Sequence, residues 1–261
     1  PYCVSKMTGE VETNWKLMSR NAKKVAKYAD LAQVSNVIFT SKGEIFSNIN
    51  SMNYMYELQE YFNNFPIEVQ TNGLSFLREE KENYTLMGLY SSGVNTIAIS
   101  IDSYDMIASY ERIITANPNL VWRATVNLVP GIVNTNFDYI LTKLKEVGFQ
   151  QVSFREVTIP TFGVVDTDES LRVMTWIKNM EETSTKAMLK FHSDFNRMKK
   201  ASPIIRKLPY GATLYDMNGL SVTYFDYCIQ DSAGDDDIRS LIFKEDGHLY
   251  TSWNSKASLI F

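Results

Sequence analysis

The chain is poor in the residues that most often carry metal and nucleophilic chemistry. Its 261 residues include two cysteines, Cys3 and Cys228, and two histidines, His192 and His248. Two cysteines so far apart build no disulfide framework, and they point to a reducing, cytoplasmic compartment. The histidines lie far apart in different element types and do not form a zinc pattern. No apolar run approaches the ~18 residues of a membrane span, so no membrane partner is expected. Excess positive charge is also missing. A formal net charge of −4 argues against broad binding to nucleic-acid phosphates. There is no low-complexity tract. What remains, 44% hydrophobic and 21% charged residues, is the balance of a soluble globular protein.

The pattern that is present is a β/α rhythm. Apolar, β-rich runs begin at Val37 (VIFT), Ile67 (IEVQT), Thr96 (TIAISI), Val121 (VWRATVNLV) and Gln151 (QVSFREVTI). Each separation holds a strand, a helix and two loops. The runs are short and rich in Val, Ile and Phe, as in parallel strands covered on both faces. Trp15, Met18, Ala22, Val25, Ala29 and Ala32 recur at helical steps and make one apolar face. Residues 104–116 read as one helix capped at Asp102-Ser103, and 135–147 as a helix ending at Gly148. After Pro160 the character changes. Residues 168–200 read as one long helix or two. Two hairpins follow, with Asn218-Gly219 and Asp246-Gly247 both suited to type I′ turns. The expected division is a β/α unit over 1–165 and a helix and β-hairpin appendage over 166–261.

In a parallel β/α sheet, ligands gather at the carboxyl ends of the strands. Here the runs end in Lys42-Gly43-Glu44, in Thr71-Asn72-Gly73, in Ser100 with Asp102, in Asn127 before Pro130-Gly131, and in Arg155-Glu156. One such ending is an ordinary loop. Five at the same structural position make a candidate site. Each also has a plain structural alternative. Glu44 could cap a helix or pair with Lys42, Thr71-Asn72-Gly73 could be only a turn, Asp102 only an N-cap, and Arg155 a structural ion pair. Arg155 and Arg123 together hint at an anionic group or a peptide carboxylate in the substrate. Tyr224-Phe225-Asp226-Tyr227 reads as strand packing, Cys228 as structural, and the acidic run 231–237 as a solvated turn.

The same segments, with Pro1-Tyr2-Cys3-Val4 ahead of them, resemble the radical S-adenosylmethionine superfamily. There three cysteines spaced C-x3-C-x2-C, usually with an aromatic before the last, bind a [4Fe-4S] cluster. Cys3 corresponds to the third, and the chain reads as a fragment truncated at its N-terminus. Lys42-Gly43-Glu44 is similar to the family's Gly-Gly-Glu motif, with Lys in place of the first Gly. Thr71-Asn72-Gly73, Ser100-Ile101-Asp102-Ser103, Val126-Asn127-Leu128-Val129-Pro130-Gly131 and Phe154-Arg155-Glu156 look like its next four strand ends. The resemblance covers residues 1 to about 160. It implies an α/β fold: a partial (β/α)6 TIM-like barrel lacking its first strand, with a C-terminal β-rich appendage. It implies Cys3 as a cluster ligand. It also implies that Gly43, Glu44, Thr71, Asn72, Ser100, Asp102, Asn127 and Arg155 bind S-adenosylmethionine. The implied activity is reductive cleavage of S-adenosylmethionine to a 5′-deoxyadenosyl radical, which takes hydrogen from an unidentified substrate. The implied electron donor is a flavodoxin or ferredoxin. Two other readings compete. One is a non-catalytic barrel descendant that binds a small molecule or protein after losing the cluster. The other is a cluster-free barrel enzyme using Glu44, Asp102 and Glu156 as acids and bases.

Overall fold

A computed structural model describes residues 6–7, 12–41, 43–47, 49–160, 164–208, 212–226, 238, 240–253 and 256–261. Cys3, Lys42, Cys228 and the acidic run 231–237 lie outside the described residues.

The order of elements is α1 (Trp15–Leu31), β1 (Val37–Phe39), α2 (Ile49–Phe62), β2 (Ile67–Thr71), α3 (Glu79–Ser91), β3 (Val94–Ile101), α4 (Tyr104–Ala108), α5 (Glu111–Ala116), β4 (Val121–Asn127), α6 (Pro130–Val133), α7 (Phe137–Val147), β5 (Gln151–Arg155), α8 (Asp168–Ala201), β6 (Ile204–Lys207), β7 (Thr213–Met217), β8 (Leu220–Phe225), β9 (Ile242–Phe243) and β10 (Leu249–Tyr250). β1 to β5 pair in parallel in chain order. The fold is α/β, around a mostly parallel eight-stranded sheet ordered β1-β2-β3-β4-β5-β8-β7-β6. The sheet is open, with β1 and β6 at its edges. Among the described residues no helix is long and apolar enough to cross a membrane.

The sheet has two unlike faces, because side chains alternate along a strand. On one face Val69, Ile97, Ile99, Trp122, Ala124, Val126, Val152, Phe154 and Val222 are fully buried. Helices cover this face. Phe191 of α8 packs edge-on against Phe154 and Phe137. On the other face the registers align Gln70, Ala98, Arg123, Gln151 and Ser221 in one row. Ser100, Thr125, Ser153 and Thr223 form the next row toward the carboxyl ends.

Local chemistry explains most of the boundaries. The Asn14 side chain accepts from Leu17 N at 3.0 Å and starts α1, whose Met18, Ala22, Val25 and Ala29 are buried. α8 opens with a Thr167 cap and Asp168 and Glu169, and closes with Lys199 and Lys200. Both ends suit the helix dipole. It is a single helix of 34 residues.

Three features differ from the sequence reading. Residues 104–116 form two short helices, because Tyr110 turns inward at the break and is fully buried. The β7–β8 hairpin is no separate layer: β8 pairs in parallel with β5 and extends the main sheet. Its Asn218-Gly219 turn has positive φ at both residues, 58° and 82°, as a type I′ turn requires. At 244–247, by contrast, only Gly247 has positive φ, and its N–H closes on the Lys244 carbonyl at 3.0 Å. That is a type I turn followed by a left-handed residue. The β9–β10 hairpin packs on α1, where Asn14 N donates to Glu245 O and Asn21 Nδ2 to Gly247 O, both at 2.7 Å.

Candidate functional site

The carboxyl ends of β1 to β5 bring most of the predicted rim residues together. Gly43, at φ +91°, turns the chain after β1 so that Glu44 reaches the end of β2. There Glu44 Oε1 accepts from the Thr71 hydroxyl at 2.6 Å and from Phe46 N at 3.2 Å. Oε2 accepts from Asn72 N at 2.7 Å. A carboxylate offers about four acceptor positions, so these three bonds leave one open.

The β2 turn is built around that carboxylate. Thr71 Oγ1 accepts from Gly73 N at 3.0 Å, and Asn72 Oδ1 from Leu74 N at 2.9 Å. Gly73 has φ +72°, and a Cβ there would lie 2.8 Å from Ile99 Cγ2 and from Tyr110 Cε1 and Oη. No side chain fits without displacing Tyr110. The Tyr110 hydroxyl donates to Asn72 O at 3.1 Å. Burial first, then the negative charges of Asp102 and Glu44, push the Tyr110 phenol up to about 12. The sequence reading missed Tyr110; its only local signal was an aromatic in the middle of an apparent helix.

At the next strand ends, Asp102 Oδ1 accepts from Asn127 Nδ2 at 2.8 Å. Gly131 lets α6 approach, since a Cβ there would stand 2.8 Å from Asp102 O. Ser103, not Asp102, caps α4, through Asp105 N. Arg155 stands in register beside Asn127, with its guanidinium carbon 5.8 Å from the Phe225 ring centre. Ser100 lies one step below Asp102, in register with Thr125. In that row the Ser153 and Thr223 hydroxyls are buried with no hydrogen-bond partner among the described residues. Leaving such a group unsatisfied costs roughly 1–3 kcal/mol, so a bound polar group there would be favoured.

Two expectations change. Arg123 is not at the rim. It lies deeper, ion-paired to buried Glu68 and bonded to Gln151 Oε1 at 2.8 and 2.6 Å. Its charge is therefore spent on the fold. Glu156 points to the other side of the sheet from Arg155. There its Oε1 accepts the Tyr224 hydroxyl and lies 3.0 Å from His192 Nε2. Tyr224 Oη and His192 Nε2 are 2.6 Å apart. Tyr224 is thus more than strand packing. Burial first, then Glu156, drive its phenol far above the ordinary value. Sequence reasoning had no signal for this trio, because its members come from three distant segments. Cys3 lies outside the described residues. Lys6 and Met7, close after it, meet the segment that follows β5: Val165 N donates to Met7 O at 2.9 Å and Lys6 pairs with Glu169 at 2.9 Å. Among the described residues no three His, Cys, Asp or Glu side chains converge as metal ligands.

No protein-family model matches the chain, and no curated protein matches it significantly.

Proposed function

We propose that this chain is the core of a radical S-adenosylmethionine enzyme, built as a partial β/α barrel whose polar sheet face is the interior. One observation carries the reading. Five consecutive parallel strands end in polar residues at one rim, and the first of them delivers Glu44 onto the Thr71-Asn72-Gly73 turn.

The residues present fit the cofactor. The open acceptor position on Glu44 suits an ammonium. Asn127 and Arg155 stand side by side at the rim, and Ser100 sits just below. They suit the carboxylate and ribose hydroxyls. The buried Ser153 and Thr223 hydroxyls offer further polar contacts beneath. Cys3 is the proposed cluster ligand. When bound, a [4Fe-4S] cluster supplies the electron that cleaves S-adenosylmethionine; a flavodoxin or ferredoxin would deliver it. The chain's own part is to hold the amino acid end with Glu44, fix Glu44 through Thr71 and Asn72 N, and orient Asn127 through Asp102. Tyr110 stays protonated at neutral pH and keeps the Asn72 carbonyl from turning toward the ligand.

The test is anaerobic reconstitution, with iron and sulfide, of the product of the whole gene. Broad visible absorbance and release of 5′-deoxyadenosine are expected, and Glu44→Ala should abolish the release. A colourless, iron-free product rejects the proposal in favour of a non-catalytic barrel. Two further cysteines upstream at the family spacing would favour the enzyme.

A further inference from the structure

On the opposite face of the sheet, a cleft of about 210 Å³ runs between α8 and the segment after β5. One wall is a stripe of α8 at four-residue steps: Met180, Ser184, Met188 and His192. The other is Glu156, Val157 and Thr158. At one end stands the Glu156–His192–Tyr224 trio.

The protonation of the trio follows from its partners. A carboxylate only accepts, so the Tyr224 hydroxyl donates to Glu156 Oε1, and His192 Nε2–H points at the same two oxygens. All of this engages Oε1. Oε2 of Glu156 has no hydrogen-bond partner among the described residues, and 22% of the side chain is exposed. The described residues lining the cleft include Glu156 and Glu181 and no Lys or Arg. An anion with one bare oxygen therefore faces a mostly apolar channel whose described lining residues include no Lys or Arg.

Ser184 gives a second sign. It is 6% exposed. Its neighbours Thr183 and Thr185 donate back to the carbonyls of Asn179 and Glu181 at 2.7 and 2.6 Å. The Ser184 hydroxyl has no such bond and no other partner among the described residues. It lines the cleft two turns, roughly 12 Å along the axis, from His192.

We propose that this cleft binds an organic amine: an ammonium group on an apolar chain, its charge against Glu156 and its chain along Met188 toward Ser184. Charge complementarity selects the head group, because a neutral alcohol leaves the carboxylate uncompensated and a carboxylate repels it. The two methionines are unbranched and polarizable, and they adapt to an apolar chain. This inference is independent of the rim and of any cluster.

The probes are n-hexylamine, n-hexanol and hexanoate, added to protein carrying 13C-methyl methionine. n-Hexylamine should shift the Met180 and Met188 methyl signals and saturate. n-Hexanol should bind at least tenfold more weakly, and hexanoate should leave both signals unmoved. Glu156→Gln keeps an acceptor for Tyr224 and removes the charge; it should weaken n-hexylamine at least tenfold, the range of a charge-assisted hydrogen bond. Equal binding of the alcohol, binding of hexanoate, no shift with the amine, or undiminished amine affinity in a folded Glu156→Gln protein would each overturn the proposal. The comparison of the three probes needs no variant, so a misfolded mutant does not protect the idea.

Discussion

Replacing Gly73 with alanine tests the geometry on which the rim depends. Two costs add at this position. The left-handed conformation at φ +72° costs a residue with a Cβ about 1–2 kcal/mol. The new methyl also lies 2.8 Å from Ile99 Cγ2 and from two atoms of Tyr110. Both neighbours are fully buried, so they have nowhere to retreat, and overpacking of this kind costs about 1–3 kcal/mol. The sum is about 2–5 kcal/mol, or a drop in melting temperature of about 4–9 °C for a chain of this size. Gly43→Ala is the control. Its φ is +91°, but a Cβ there meets nothing within 4 Å, so only the conformational part, about 1–2 kcal/mol, applies. Urea denaturation followed by circular dichroism measures both variants. Equal losses at the two positions, or a Gly73→Ala loss below about 1 kcal/mol, would refute the packing of Tyr110 beneath the β2 turn.

Arg123→Ala leaves Glu68, 4% exposed, without its cation and should cost about 3–5 kcal/mol; adding Glu68→Gln should recover much of it. A four-member cycle in urea measures this, and simple additivity of the two changes would count against a fold-spent arginine. Tyr110, held at about 12 rather than 10, favours the protonated folded state. The stability it contributes is complete below pH 10 and is lost as pH rises toward 12, by about 2–3 kcal/mol. The stability difference between wild type and Tyr110→Phe should therefore fall with pH across that window and be flat from pH 7 to 9; a flat difference throughout would contradict the burial of this phenol.

What the sequence reveals is what short-range pattern controls. The five strands start at or within two residues of the predicted positions, because Val, Ile and Phe runs bounded by polar loops leave little freedom. Gly148 ends α7 as its position foretells. The rim endings are legible because strand polarity fixes which end of each run faces the mouth. Apart from the local turn type at Asp246-Gly247, the misses come from contacts between distant segments. A helical pattern over 104–116 cannot announce that Tyr110 leaves it to fill the space under Gly73. Arg123 reads as a rim cation until its partner, 55 residues away, is known. Asn218-Gly219 reads correctly, yet nothing local shows that the hairpin it makes will join the main sheet beside β5. His192 looks isolated in sequence, and only the α8 crossover brings it to Glu156.

The division of the sheet into two faces links these results. Alternate residues of β5 illustrate it: Arg155, Ser153 and Gln151 face the polar rows, while Phe154 and Val152 face the helices. Glu156 continues the helix-side parity, and so it ends in the amine cleft rather than at the rim, one residue from Arg155. A single backbone position thus separates two candidate sites on opposite sides of a packed layer. Sites that share no contacting partners affect stability and binding nearly additively. Saturating the cleft with n-hexylamine at pH 8, where the amine is still an ammonium, should therefore leave the stability loss of Gly73→Ala, which displaces Tyr110, unchanged. Coupling between cleft and Tyr110 would mean that the β5 strand moves as a switch between its two faces, which its full set of parallel pairs to β4 and β8 argues against.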